Sequence, residues 1–309
     1  MPERPSYIPL VILVVIVVAA ASAGSALLYL HYLPKGSGPA SVALGDNVTV
    51  NYIGFFGSTP QAGRVFDTSI YSVATNNATY PKSLEYTPRP SIANYTPLPF
   101  YVGGSVPSGG YSFGGQTFST VIPGFWQGVV GMAGNTTRVI TIPSSGAYGP
   151  LNQSCVFTLP LSYTVPVNFL VPGSQFSTLY PGVDPVAGIQ FTDPVYGWND
   201  TVLSANQTSV VVQNQPDVGF VSYANGWPVL VTNVSGSGAG AITLVNQLTV
   251  ASSGLVLGHS ERSQTYCGQS EFIVSSVDES NGTYTANYNR EVIGATLVFQ
   301  VTVVGIWGP

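Results

Sequence analysis

The chain has 309 residues, enough for one large or two modest domains. Charged residues make up 7% of it, against about 25% in ordinary soluble proteins, and the net charge is -5. Eight Lys and Arg, thinly spread, exclude a nucleic-acid partner, which needs clustered cations.

The polar surface is therefore built mainly from Ser, Thr, Asn, Gln and Tyr. Such a surface changes little in charge when carboxylates protonate, which suits an acidic exterior; a hot or saline habitat, or lineage bias, are the alternatives. Gly, Pro, Tyr, Val and Thr recur throughout, the vocabulary of short strands and tight turns.

In chain order, residues 1–6 read as a cytoplasmic tail and residues 7–33 as a single-pass transmembrane helix. No Asp, Glu, Lys or Arg occurs from Tyr7 to Leu33. A run of that length spans a hydrocarbon core of ~30 Å with ~20 helical residues. Ala21-Ser22-Ala23 offers a signal-peptidase site as the rival reading. Apolar residues resume at Leu27–Leu30, with Tyr29, His31 and Tyr32 at an interfacial position, and this favours the uncleaved anchor. Residues 34–40 form a flexible tether. Nine N-x-Ser/Thr sequons, at Asn47, Asn77, Asn94, Asn135, Asn152, Asn199, Asn206, Asn233 and Asn281, place the bulk of the chain outside the cytoplasm. Each alone is a weak sign in so Ser/Thr/Asn-rich a chain.

Next comes G-D-N-V-T-V-N-Y-I-G-F-F (Gly45 to Phe56), a strand alternating around Val48, Val50 and Tyr52. A turn leads to G-R-V-F-D-T-S-I (Gly63 to Ile70), a strand edge that delivers Phe66 and Asp67. A Pro-, Gly- and Tyr-rich stretch from Tyr71 to Thr120 follows, with a strand at Pro97–Gly103. V-I-P-G-F-W-Q-G-V-V-G-M (Val121 to Met132) begins a helix at Pro123. R-V-I-T-I-P-S-S-G-A-Y-G (Arg138 to Gly149) is a strand that ends near Tyr148. Residues 151–286 are β-rich: Ser209–Gln213 and Pro228–Val231 read as strands, and no strongly periodic helix appears. Thr201–Gly219 loosely echoes Val277–Gly294, which suggests two β lobes. Gly294–Val304 is a closing strand. Cys155 and Cys267, the only cysteines, suggest a disulfide in an oxidising compartment, with two buried thiols as the alternative.

The order V-F-D, V-I-P-G-F, A-Y-G and closing strand resembles the FKBP-type peptidyl-prolyl isomerases. The resemblance implies an α+β, mostly β fold: an antiparallel half-barrel sheet on one short helix near Gly124–Met132. That domain, residues 41–150 plus 287–309, is discontinuous. Residues 151–286 form a β-rich insert before the last strand, where some archaeal and bacterial members carry a chaperone-like flap. By the same resemblance Tyr52, Phe66, Val121, Ile122, Phe125, Tyr148 and Phe299 line a proline pocket, with the Asp67 carboxylate at its rim. The Ile122 N–H and the Tyr148 hydroxyl would donate to substrate carbonyls. Phe125 stands where the best-known members have Trp. No Arg lies just downstream of Asp67, which leaves the carboxylate unpaired or bonded to Tyr52. On residue type alone, Phe66 and Phe299 are ordinary core strand residues.

Other chemistries lack their residues. The only histidines are His31 and His259, and no nucleophile elbow, phosphate loop or metal-ligand spacing occurs. No metal or cofactor is expected. The expectation is a membrane-tethered prolyl isomerase and folding helper acting on proline-containing exported or unfolded polypeptides. The second reading is a non-catalytic, glycosylated cell-surface structural or binding protein of the same fold.

Overall fold

Strand β1 (Asn47–Phe56) is apolar at nearly every second residue, and its other residues are covered as well. The polar alternation expected around Val48, Val50 and Tyr52 is lost because the chain after β2 (Val65–Thr68) folds back beside it. There Ser69 Oγ accepts from the Tyr52 N–H at 2.9 Å and lies 3.2 Å from Asn51 Oδ1. β1 is also central in its sheet. Its second half pairs with β2 and its first half with β3 (Leu98–Tyr101). Along its whole length it pairs with β19 (Leu297–Trp307), which in turn pairs with β6 (Thr137–Ile142). All pairings are antiparallel, and the five strands curl into a half-barrel. A separate hairpin joins β4 (Tyr111–Phe113) to β5 (Gln116–Phe118). The computed structural model describes residues 41–58, 61–106, 111–113, 116–259 and 265–308. The expected tail, anchor and tether, residues 1–40, lie outside them. Among the described residues no helix is long and apolar enough to cross a membrane.

The helix Pro123–Val129 lies in the hollow of this sheet, with proline at its first turn. Phe125 and Val129, four residues apart, share its buried face. Gly124 and Gly128 share another, and a Cβ on either would fall 2.3 Å from Ile142 and 2.4 Å from Ile140. Their lack of side chains lets the helix rest directly on β6. One apolar core, with Val48, Val50, Phe100, Phe125, Leu297 and Val301 at its centre, joins helix and sheet. The single helix expected is joined by two others among the described residues, Tyr71–Thr75 and Gly173–Leu179. Each has at most two turns, too few for a 3.6-residue period to show.

Between β6 and β19 the chain builds three further sheets. A ribbon of short strands comes first: β7 (Val156–Pro160), β8 (Ser162–Pro166) and β9 (Asn168–Pro172). Its sequence repeats every six residues, C-V-F-T-L-P, L-S-Y-T-V-P, V-N-F-L-V-P. Each ribbon strand forms one edge of a four-stranded antiparallel sheet. β9 takes β12 (Ser209–Asn214), β11 (Asn199–Ala205) and β10 (Gln190–Thr192). β8 takes β15 (Ala241–Asn246), β14 (Val229–Ser235) and β13 (Val221–Ser222). β7 takes β18 (Thr283–Asn287), β17 (Glu271–Asp278) and β16 (Leu257–His259).

The three units share a defect and a lock. Each middle strand bulges at one place, between Val202 and Ser204, Val231 and Asn233, and Val274 and Ser276. The backbone N–H groups of Asn214, Asn246 and Tyr288 bond the carbonyls of Val167, Leu161 and Cys155, residues six apart on the ribbon. In two units a tryptophan completes the joint. Trp198 Nε1 donates to Asn214 Oδ1 at 3.1 Å and Trp227 Nε1 to Asn246 Oδ1 at 2.8 Å. The insert thus holds three units rather than two lobes. Matched on the bulges, Thr201 corresponds to Leu230 and Ile273, so the echo expected at Val277 is four residues out of register. The β7 and β8 sheets contribute to one core, while the β9 sheet packs on the Gly173–Leu179 helix in another.

Cys155, in the turn just before β7, and Cys267, before β17, form a disulfide closing a separation of 112 residues. The two connections to the half-barrel run side by side. Asn152 and Asn289 exchange two hydrogen bonds of 3.1 and 3.0 Å, and Gly294 N–H donates to Gly149 O at 3.0 Å.

Candidate active site

The site is built on Gly54. A Cβ there would fall 2.7 Å from the Phe66 ring and 3.1 Å from that of Phe299, so only glycine lets both rings cross the β1 backbone. Phe66 of β2 meets Phe299 of β19 edge to face at 5.4 Å, and Phe299 meets Phe125 of the helix at 4.9 Å. The Tyr52 ring stands 6.0 Å from Phe125. Tyr52, Phe125 and Phe299 are 3–5% exposed and form the floor. Phe66, Val121, Ile122 and Trp126 are half-buried and pack on it as walls. Four elements distant in sequence thus bring together the aromatic and aliphatic residues singled out from sequence.

The polar rim is a network. The Tyr52 hydroxyl donates to Asp67 Oδ2. Arg89 Nη2 donates to the same hydroxyl at 3.0 Å and pairs with Asp67 Oδ1 at 3.4 Å. The expectation of no arginine partner for Asp67 is corrected here: the partner lies 22 residues downstream. Arg89 is fixed in turn, because its backbone N–H donates to the Tyr95 hydroxyl at 2.9 Å and its Nη1 to Asn94 O at 3.0 Å. Its guanidinium lies 5.5 Å from the Tyr95 ring centre. Burial, and then the Asp67 carboxylate, push the Tyr52 phenol far above its ordinary value, so it remains a donor. Tyr86 is raised by burial and by its bond to Tyr95.

Tyr148 follows the 3-10 turn Ser144–Gly146 and is exposed, within the field of Asp67. Burial of part of the ring and that carboxylate raise its phenol as well. Ile122 is the N-cap of the helix in extended conformation, and its N–H meets no acceptor among the described residues. The arrangement has an apolar floor, one carboxylate, one cation and four phenolic hydroxyls, those of Tyr52, Tyr86, Tyr95 and Tyr148. It holds no activated nucleophile. It is equipped to surround an apolar ring and to bond flanking amide groups.

Arg89, Tyr86 and Tyr95 were not expected at the site. Their one sequence signal is an arginine held between prolines, in T-P-R-P, in a chain with eight basic side chains altogether. Among the described residues no group of His, Cys, Asp or Glu has the arrangement of a metal site. His259 pairs with Glu271 across β16 and β17 at 3.4 Å on the surface of the insert. No protein-family model matches the chain, and no curated protein matches it significantly.

Proposed function

We propose that the chain is a membrane-tethered peptidyl-prolyl isomerase of FKBP type, acting outside the cytoplasm on proline-containing exported or unfolded polypeptides. The observation that carries this reading is the Asp67–Tyr52–Arg89 network at the rim of an aromatic hollow with Phe125 and Phe299 in its floor and Phe66 in its wall.

Rotation about an X–Pro amide faces a barrier of ~18–20 kcal/mol because resonance stiffens the C–N bond. The planar form is the more charge-separated one, so an apolar floor that excludes water favours the twisted amide. The proline ring would sit against Phe66 and Phe299. The Ile122 N–H and the Tyr148 hydroxyl would take the flanking carbonyls. The Asp67 field, held in place by Arg89 and Tyr52, would face the rotating carbonyl. None of these steps transfers a proton or forms a bond. The disulfide supports an oxidising compartment, and the three-unit insert is the part available to hold unfolded clients.

A non-catalytic binding role is the second reading, favoured by how tightly Tyr52, Phe125 and Phe299 fill the hollow themselves. The discriminating measurement is cis-to-trans conversion of a short proline peptide by the full-length chain. Acceleration lost in Phe66→Ala supports catalysis. A folded parent that gives no acceleration at any pH leaves the binding role.

A further inference from the structure

Nine of the chain's 17 asparagines stand in N-x-Ser/Thr sequons, where 59 Ser and Thr in 309 residues would place about three by composition. The structure sorts them. Asn47 is 1% exposed in β1, opposite Trp307 and Tyr101, and its hydroxyl partner Thr49 is also buried. The other eight asparagines are exposed.

Three of the eight follow the architecture of the insert, one to each unit at the outer end of its central hairpin. Asn206 is in the β11–β12 turn, Asn233 is in β14 just past the bulge, and Asn281 is in the β17–β18 turn. At Asn206 the sequon is already folded on itself. Oδ1 accepts from the Thr208 N–H and hydroxyl, both at 2.9 Å, and Nδ2 takes no part. At Asn281 the Nδ2 donates to Asp278 Oδ2 at 2.6 Å. A substituted amide keeps one N–H, so that bond survives modification.

We infer that Asn206, Asn233 and Asn281 carry N-linked oligosaccharides, one on each unit, and that Asn47 stays bare. This rests on the reading that the bulk of the chain faces outside the cytoplasm. The donor class is an oligosaccharide on a lipid pyrophosphate. Nδ2 attacks the anomeric carbon and loses a proton, the C–O bond to phosphate breaks, and the lipid pyrophosphate leaves. A sugar at Asn47 would instead stand between β1 and its partners β3 and β19. The sugars give three hairpin ends a hydration shell that does not titrate, in a chain with 7% charged residues.

The test is mass spectrometry of intact glycopeptides from the full-length chain, purified from the membranes of the cells that make it and digested without reductant. Peptides spanning Asn206, Asn233 and Asn281 should each carry an added oligosaccharide mass, and the Asn47 peptide none. Thr208→Ala should strip the mass from Asn206 alone, while Thr208→Ser should retain it. Unmodified peptides at these three positions overturn the inference. If Cys155 and Cys267 are then found joined, only the glycan inference fails; if they are reduced, the reading of an external compartment fails with it.

Discussion

Arg89 gives Asp67 the cationic partner that no neighbouring residue in sequence offers, and with the Thr68 N–H, which donates to Asp67 Oδ1 at 2.7 Å, it holds the carboxylate beside the Tyr52 phenol. Arg89→Ala should therefore lower kcat/KM for a proline peptide by about three- to tenfold, the modest loss of a half-exposed charged hydrogen bond. Phe66→Ala should cost far more, about 30- to 150-fold, because removing a ring worth ~2–3 kcal/mol of burial opens the wall to water. Tyr148→Phe removes one neutral donor of ~0.5–1.5 kcal/mol and should cost about two- to tenfold, with Asp67→Ala between these two. The same kinetic assay ranks all four. If Phe66→Ala is as active as the parent, the aromatic hollow is not the substrate site. Phe66, Asp67, Phe125 and Tyr148 were legible because each sits in a short contiguous motif. Arg89 was not. Its position depends on where the loop from Tyr71 returns, and a Pro-rich loop has no period from which to calculate that.

At the scale of elements, the bond between Gly149 and Gly294 marks where the insert can be removed. Joining these two residues through a short turn should keep most of the peptide turnover while reducing protection of a refolding protein, because every ring of the aromatic floor lies outside the deletion; the loss of Val292 from the edge of the half-barrel core should lower the melting temperature of that domain. Loss of peptide turnover with the half-barrel still folded would show that the insert completes the site. The loop carrying Arg89 meets the returning chain at two carboxylates. Glu85 Oε2 accepts from the Glu291 N–H at 3.2 Å, and Glu291 Oε2 from the Glu85 N–H at 3.3 Å. Burial, and secondarily the Glu291 charge, raise Glu85 above its ordinary value. A raised carboxyl contributes stability that is fully present in acid and is lost as pH rises through its folded value. Melting curves from pH 4 to 7 should therefore show Glu85→Gln gaining on the parent as pH rises. Equal melting at every pH would mean the pair is fully solvated. The hairpins of the insert were legible from strand alternation, but their number was not. The inner positions Val212, Leu244 and Ala286, or Val210, Ile242 and Tyr284, share only apolar character. The six-residue period of the ribbon is also too short to resemble a repeat.

For the whole molecule, separate cores predict separable unfolding. The half-barrel and the insert have distinct apolar clusters, and the disulfide lies wholly in the insert. Closing a loop of that length is worth about 4–5 kcal/mol in the chain-entropy model. Cys155→Ala with Cys267→Ala should thus lower the melting of Trp198 and Trp227 fluorescence before that of Trp126 and Trp307, read in single-tryptophan variants. A single shared transition, displaced as one, would show that the cores unfold together. The nested pairing also sets an order of arrival for a chain emerging amino end first. β9 is matched by β12 after a few dozen residues, then β8 by β15, then β7 by β18, and β1 waits for β19, the last strand. Such long-range closure is slow. It also means that Phe299, the central ring of the floor, reaches its place only after the strands of all three insert sheets have been made. A chain clipped between Asn287 and Leu297 would keep all three sheets of the insert but lack Phe299 and the strand that pairs with β1, and so would have no complete aromatic floor.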